Sequence, residues 1–235
     1  MRKKTTQNKV ISKSSDGFIR VISGQFRGRK LPVKDVQGLR PTTDRIKETV
    51  FNWLMQDTRD KHVLDCFAGS GGLGFEALSR FAKSATFIEL DSLAAKQLEQ
   101  NISTLKLDNA HVKHTNSLSF LEQKNSNTPF DLVFVDPPFR KDLAQISCDL
   151  LENNHWLNVQ ALIYVEVEAE LNTFTPPCNW LLIKEKRRGK YSAGCMNVKQ
   201  INTVLDDVFL LILSFTCGVA SDYNTAPFLN HLINV

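Results

Sequence analysis

The sequence predicts an α/β fold with a doubly wound, mostly parallel β-sheet and a small basic β-hairpin on its N-terminal side. Short apolar runs alternate with segments of helical periodicity over residues 43–184. A glycine-rich turn directly follows the first of these apolar runs, as in nucleotide-binding α/β sheets. The 235 residues are 42% hydrophobic and 23% charged, as in an ordinary globular protein, and 11 glycines and 8 prolines without a period exclude collagen-like and low-complexity classes.

The N-terminal 40 residues are strongly basic. They hold eleven basic and two acidic residues, a net charge of +9, and leave 18 basic and 23 acidic residues, or −5, for the rest. A basic arm on a near-neutral body is a common electrostatic pattern of nucleic-acid-binding proteins. We expect residues 1–17 to form a flexible tail.

Residues 18–40 predict a hairpin arm. Apolar and polar residues alternate over residues 18–23, and Gly24 and Gly28 interrupt the β-like stretch that follows. A hairpin holds arginines in a fixed geometry, in which they can bind phosphates through two parallel hydrogen bonds. The basic residues that it would display are Arg27, Arg29 and Lys30.

The rest of the body predicts helices and strands in alternation, with Asp91 as the N-cap of one helix. The predicted strands cover residues 62–66, 85–90, 112–115, 130–136, 161–167 and 180–184. The predicted helices cover residues 43–55, 73–81, 92–105 and 142–151. The binding crevice of such a sheet lies outside the carboxyl ends of its strands.

A glycine motif occupies that crevice. Gly69, Gly71 and Gly74 fit the pattern G-x-G-x-x-G between a strand and a helix, where glycine permits a tight turn and close approach of a ligand. Glu89 lies twenty residues beyond Gly69, at the end of the next strand, where a carboxylate can accept both hydroxyls of a ribose. These features suit a nicotinamide cofactor and S-adenosylmethionine equally.

The segment Asp136-Pro137-Pro138-Phe139 closes the fourth strand of the body. Consecutive prolines restrict the turn and leave the Pro137 carbonyl available to a donor outside the strand ladder. The Asp136 carboxylate provides a second acceptor, and Phe139 provides a face on which a flat ring can stack. Two acceptors and a stacking ring predict a pocket for an exocyclic amine of a nucleobase.

These motifs together resemble the amino-methyltransferases that act on nucleobases. Four segments, at residues 20–31, 39–45, 51–54 and 65–71, further resemble the bacterial 16S ribosomal RNA guanine-N2 methyltransferase family (methyltransferase D), over about residues 18–187. The resemblance implies a Rossmann-like class I fold and S-adenosylmethionine as donor, with S-adenosylhomocysteine as product. It also implies as substrate one guanine of 16S ribosomal RNA, in the small subunit or a late assembly intermediate.

The resemblance also assigns roles to residues. Those expected to hold a flipped guanine are Asp136, Pro137, Pro138 and Phe139. Those expected to bind the methyl donor are Asp65, Phe67, Ala68, Gly69, Ser70, Gly71, Glu89 and Ser117. Those expected to contact RNA are Arg20, Arg27, Arg29, Lys30, Arg40 and Arg45.

The cysteine pattern and the N-terminal residues indicate where in the cell the protein is expected. The five cysteines form no CxxC pair, and His111 and His114 have no further ligand at metal-binding spacing, so we expect neither a disulfide framework nor a metal site. The basic start is followed by no apolar core, and no apolar stretch approaches the roughly 20 residues that a bilayer requires. We therefore expect a cytoplasmic monomer without a membrane segment.

Three alternatives share part of this pattern. A nicotinamide-dependent oxidoreductase would use the glycine motif and Glu89, but it leaves the Asp-Pro-Pro-Phe segment and the basic arm unexplained. An adenine-N6 or cytosine-N4 nucleic-acid methyltransferase would share the amine pocket and differ in the arm. A non-catalytic RNA-binding assembly protein would need the arm alone.

The C-terminal part departs from the family. We place a methyltransferase domain at residues 41–190 and an atypical tail at residues 191–235. Residues 187–195 are polar and glycine-rich where a final strand is expected. We expect that strand to be missing, which would leave the sheet without an edge partner and the apolar residues 208–215 exposed.

Overall fold

The computed structural model describes residues 17–34, 43–54, 57–138, 142–168, 174–188 and 191–198. Nine strands are described: β1 Gly17–Arg20, β2 Lys30–Val33, β3 His62–Asp65, β4 Ser84–Glu89, β5 Ala110–His114, β6 Phe130–Val135, β7 Leu157–Glu168, β8 Trp180–Arg188 and β9 Tyr191–Val198. Five helices are described: α1 Asp44–Leu54, α2 Gly72–Ser79, α3 Ser92–Leu105, α4 Ser117–Leu121 and α5 Leu143–Asn153.

The main sheet has seven strands in the order β5-β4-β3-β6-β7-β9-β8. The pairs from β5 to β7 are parallel, and β9 is antiparallel to both of its neighbours. Because the chain moves outward from β3 to β4 and β5 before returning to β6, the sheet reverses its winding between β3 and β6. The predicted doubly wound, mostly parallel sheet is confirmed, and its crevice lies at this reversal.

Buried apolar side chains form a core layer on each face of the sheet. One layer joins α1, α2 and α3 to the sheet, and the other joins α4 and α5 to it. The predicted helix cap is also present, since the Asp91 carboxylate accepts hydrogen bonds from the amides of Leu93 and Ala94, both at 2.9 Å.

The expectation of a missing last strand is wrong. Tyr191–Val198 forms β9, which pairs with both β7 and β8 and is therefore an interior strand. The strand was not predicted because its first residues are polar or small. Ser192 and Ala193 lie toward the turn, whereas the following Cys195 and Met196 are buried. The predicted domain boundary after residue 190 thus falls inside the hairpin of β8 and β9.

The N-terminal arm is a two-stranded hairpin of β1 and β2, in which Arg20 pairs with Lys30. Its inner side chains belong to the core layer that contains α1 to α3: Ile19, Val21, Leu31 and Val33. The buried carboxylate of Glu76 on α2 accepts hydrogen bonds from the amides of Ile22 and Ser23, at 2.7 and 3.0 Å. The arm is therefore docked on the body and fixed to α2.

Several sequence expectations lie outside the described residues. These are the tail at residues 1–16, Arg40, Phe139 and the apolar residues 208–215. Within the described part of the chain, every helix is too short or too polar to cross a membrane.

Candidate active site

The glycine loop and the Asp-Pro-Pro segment meet at the reversal of the sheet. Asp65, the last residue of β3, pairs in register with Phe134 of β6. The amide of Cys66 donates a hydrogen bond to the Phe134 carbonyl at 3.0 Å, so the two strands stay joined up to their carboxyl ends. The loop after β3 and Asp136 after β6 therefore leave the sheet next to one another.

Backbone and carboxylate hydrogen bonds fix the glycine loop. The amide of Gly69 donates to Glu89 Oε2 at 2.7 Å, and the amide of Ala68 donates to the Ile88 carbonyl at 2.9 Å. Gly71 has a φ of 77°, and a Cβ there would come within 2.6 Å of a side-chain carbon of Phe75 and of one of Leu98. The loop requires glycine at this position both for its backbone conformation and for packing.

Glu89 links the loop to the next helix. Its second oxygen, Oε1, accepts a hydrogen bond from the amide of Asp91 at 2.8 Å. One carboxylate at the end of β4 thus fixes both the Gly69 turn and the start of α3. Each carboxylate oxygen retains a lone pair beyond its backbone partner, so Glu89 can still accept a ribose hydroxyl. This contact remains a prediction.

Asp65 lies buried beneath this loop. Its carboxylate accepts a hydrogen bond from the amide of Gly74 at 3.1 Å. The pKa of Asp65 is raised to about 7, chiefly by burial; the Gly74 hydrogen bond lowers this pKa, and the nearby Glu89 charge raises it. Two carboxyl groups beside a glycine turn suit a cationic ligand with ribose hydroxyls, and the ammonium and sulfonium of S-adenosylmethionine fit this description.

Replacing Asp65 by asparagine should raise the free energy of unfolding of the ligand-free protein above pH 7. The raised pKa means that the folded state keeps its proton between about pH 4 and pH 7 while the unfolded state has lost it, so this group's contribution falls as pH rises through that window. Urea unfolding of both proteins at pH 5 and pH 8 measures the difference. A variant less stable than the parent at pH 8 would contradict this assignment.

The Asp-Pro-Pro segment continues β6 beyond the sheet. Asp136 is half-buried, Pro137 is buried and Pro138 is exposed. Tyr164 of β7 is buried alongside, and the charge of Asp136 is among the causes that raise the pKa of its phenol, after burial and the Glu166 charge. Since Phe134 pairs with Tyr164, Asp136 leaves β6 two residues beyond this pair.

A cleft opens beside Tyr164, between α1 and the strands β7 to β9. Its wall is mostly apolar, and three charged side chains also line it. The lining residues on α1 are Arg45, Ile46, Thr49, Val50 and Trp53. The lining residues on the strands are Tyr164, Glu166, Lys186 and Ala193.

The predicted RNA-binding residues of the arm have two kinds of surroundings, while Arg45 lines the cleft described above. Arg27, Arg29 and Lys30 are exposed on the arm, as the hairpin pattern predicts, and the Lys30 ammonium lies 4.5 Å from the centre of the Phe18 ring. Arg20 instead donates two hydrogen bonds to Asp44 of α1, at 2.6 and 3.0 Å, which ties the arm to that helix.

Ser117 lies closer to the loop backbone than the sequence suggests. Its side chain is buried, and its hydroxyl donates a hydrogen bond to the Cys66 carbonyl. The residue therefore supports the strand end below the glycine loop. Its predicted approach to an adenine remains a prediction.

Residues that the sequence did not single out complete the site. Glu76 is an acid in an otherwise apolar helix, a pattern that indicates a buried partner. Trp53 and Glu166 gave no such signal, because their position depends on how α1 packs across β7. Among the described residues, no group of three or more histidine, cysteine or acidic side chains could hold a metal ion.

The comparisons with known proteins agree with this geometry. A family model described as "Conserved hypothetical protein 95" matches residues 19–196, so the match includes most of β9. A relative from Escherichia coli strain K12, "Ribosomal RNA small subunit methyltransferase D", is 56% identical over 177 residues, covering 75% of this chain and 88% of the relative. The chain belongs to the ribosomal RNA small subunit methyltransferase D family.

Other members support the same assignment. The Haemophilus influenzae methyltransferase D is 51% identical and covers 77% of this chain and 94% of the relative. A solved Escherichia coli methyltransferase structure superposes with a TM-score of 0.73 at 51% identity, covering 78% of this chain and 99% of that chain. The predicted class I fold and the predicted enzyme class, methyltransferase, are both confirmed.

Proposed function

We propose that the protein transfers a methyl group from S-adenosylmethionine to the exocyclic N2 amine of one guanine in 16S ribosomal RNA. Membership of the methyltransferase D family supports the coarser statement, methylation of small-subunit ribosomal RNA. The finer statement rests on one observation, the meeting of the glycine loop and Asp136 at the reversal of the sheet. A monomer that acts in the cytoplasm on a late assembly intermediate completes the proposal.

The site can hold the methyl donor with its own carboxylates. We assign Glu89 to the ribose hydroxyls and Asp65 with the glycine loop to the charged methionine part, because the two carboxylates bind amides of the glycine loop and of the first turn of α2. When bound, S-adenosylmethionine supplies an electrophilic methyl carbon on a cationic sulfur. The other residues of the glycine loop that we propose to bind the methyl donor are Phe67, Ala68, Ser70 and Gly71.

The Asp-Pro-Pro segment would position the amine. The Asp136 carboxylate and the Pro137 carbonyl can each accept one N–H of the exocyclic amine, which favours a pyramidal nitrogen and directs its lone pair away from both acceptors. These fixed acceptors also favour the positive charge that develops on the nitrogen. We therefore assign Asp136 a positioning and electrostatic role at the reacting nitrogen. Because its carboxylate is a base, Asp136 can also accept the proton that this nitrogen loses.

The decisive experiment uses small subunits from cells that lack the endogenous enzyme. They are incubated with the protein and methyl-labelled S-adenosylmethionine, and the RNA is then digested to nucleosides. N2-methylguanosine as the single labelled product is expected. Label in methyladenosine or methylcytidine would favour the amine pocket with another base, and cofactor binding without label would favour a binding-only protein.

Reversing the charges of Arg27, Arg29 and Lys30 to glutamate should weaken binding to RNA and flatten its salt dependence. Each lost phosphate contact reduces the slope of log affinity against log salt by about 0.7 to 0.9. Titration of small-subunit RNA at several salt concentrations measures this slope. The affinity for S-adenosylmethionine should stay unchanged.

The same reversal at three basic residues outside the arm is the matched control. Lys106, Lys113 and Lys124 are exposed residues of the body, and their replacement changes the net charge equally. An equal loss of RNA affinity in both triple variants would show a general charge effect and would remove the arm from the RNA interface.

A further inference from the structure

The parallel register brings two acidic residues into adjacent positions, one directly after β6 and the other near the carboxyl end of β7. The last aligned pairs are Phe134 with Tyr164 and Val135 with Val165. The next residues along the two chains are Asp136 and Glu166. Because side chains alternate between the faces of a strand, Glu166 follows Tyr164 on the face of the sheet that α1 covers.

Tyr164 orients Glu166. The phenol is buried and donates a hydrogen bond to Glu166 Oε2 at 3.2 Å. Burial raises its pKa, and the charges of Glu166 and Asp136 raise it further, so the phenol remains a proton donor at neutral pH. Glu166 is thereby held toward the cleft that α1 forms with the strands.

The cleft combines features that fit one nucleotide of an RNA strand. The half-buried indole of Trp53 and other apolar side chains form its wall, which suits a flat base. Arg45 and Lys186 line it as well, and both are exposed cations suited to phosphate. Asp136, where the proposed reaction takes place, lies two residues after Phe134, which pairs with Tyr164 of this cleft and contacts its ring edge to face.

We propose that Glu166 reads the Watson–Crick edge of the target guanine in this cleft, by accepting its N1–H while Asp136 accepts from the N2 amine. This inference rests on the proposed function and concerns its choice of base. Guanine presents donors at both N1 and N2. Adenine presents an acceptor at N1, which would face the Glu166 carboxylate with like partial charge, and a site built for a donor rejects a base that lacks it.

The test exchanges the hydrogen-bonding group without changing its shape. Glu166→Gln introduces an amide that can accept or donate, and Glu48→Gln makes the same change at an exposed position of α1 outside the cleft. Small subunits are reconstituted with 16S ribosomal RNA that carries either guanine or 2-aminopurine at the methylated position. 2-Aminopurine retains the N2 amine but has an acceptor at N1.

The parent and Glu48→Gln are expected to prefer guanine strongly over 2-aminopurine. Glu166→Gln should lose roughly ten- to a hundredfold in kcat/KM on guanine, because one edge contact is weakened. The ratio of its kcat/KM on 2-aminopurine to its kcat/KM on guanine should rise by at least a similar factor, since the amide can donate to N1. The dissociation constant for S-adenosylmethionine should change by less than about twofold.

Two results would overturn the inference. In the first, Glu166→Gln keeps the parent rate on guanine. In the second, its kcat/KM falls by the same factor on guanine and on 2-aminopurine, which indicates a structural role. Glu166→Asp, which retains the carboxylate, is the control for a folding defect. It should keep the preference for guanine at a reduced rate. A parent protein that forms no N2-methylguanosine would instead contradict the proposed function itself.

Discussion

Replacing Asp136 by alanine should lower the rate of methyl transfer by roughly a thousandfold or more, because a fixed acceptor is lost at the reacting nitrogen. Asp136 follows β6 directly, and Phe134 two residues earlier is fully buried, so the strand below the motif should remain in place. Binding of S-adenosylmethionine should be largely unaffected, since its proposed ligands lie after β3 and β4. Single-turnover transfer to small subunits and calorimetric titration of the cofactor measure the two quantities separately.

Two further variants define what Asp136 does. Asp136→Asn keeps an acceptor of the same shape but has almost no basicity, so activity well above that of the alanine variant would assign hydrogen bonding as its main role. Asp108→Ala removes an exposed carboxylate from the turn before β5 and should leave transfer unchanged. An alanine variant at 136 that turns over at the parent rate would refute the assignment.

The sequence predicted the parallel part of the sheet because its strands are short apolar runs. β3 and β6 are buried on both faces, so their apolar runs are continuous and easily recognised. The position of Glu89 and Asp136 at strand ends followed from the same runs. Chain order and the glycine turn were then enough to place both motifs at one edge of the sheet.

The strand β9 could not be predicted in this way. It contains Ser192, Gly194 and Asn197, and neither its apolar content nor its composition is typical of a strand. Its formation depends on hydrogen bonds to β8 across a hairpin and to β7, and the pairing with β7 is long-range and absent from local sequence. Gly194 fits because a Cβ there would already come within 3.1 Å of the Leu182 side chain.

The cleft beside Tyr164 was missed for a similar reason. Glu166 alternates with apolar residues along β7, a pattern that equally describes a solvent-facing acid. Only the register of β7 against β6 brings it beside Asp136, and only the packing of α1 brings Trp53 opposite. Sequence patterns predict which face a residue occupies, whereas a site also requires the offset between strands.

The arm shows the same distinction between an element and its placement. Glycines and alternation predicted the hairpin, but not that α2 holds it. The turn at Gly24 lies against the end of α2, where the amide of Gln25 donates to the Ser79 carbonyl at 2.8 Å and the amide of Phe26 donates to Ser79 Oγ at 3.0 Å. Since α2 begins at the glycine loop, one short helix connects the arm to the proposed cofactor site.

Replacing Gly24 by alanine should detach this turn from α2. A Cβ there would lie 1.8 Å from the Ser79 carbonyl oxygen, and φ is +78°, so both the contact and the backbone conformation oppose a side chain. Overpacking against rigid backbone and the left-handed conformation together should lower the free energy of unfolding by about 3 to 5 kcal/mol. Urea unfolding measures this loss, and transfer to small subunits should fall because the basic hairpin no longer has a fixed position.

Gly28→Ala separates the two causes. Gly28 belongs to the same hairpin and has a similar φ of +82°, but a Cβ there would meet no atom within 4 Å. Its replacement should therefore cost only the conformational part, about 1 to 2 kcal/mol, and should largely preserve transfer. The difference between the variants measures how much the close approach to Ser79 contributes to holding the arm. Equal losses of stability would mean that backbone conformation alone accounts for both, and that docking on α2 does not depend on this contact.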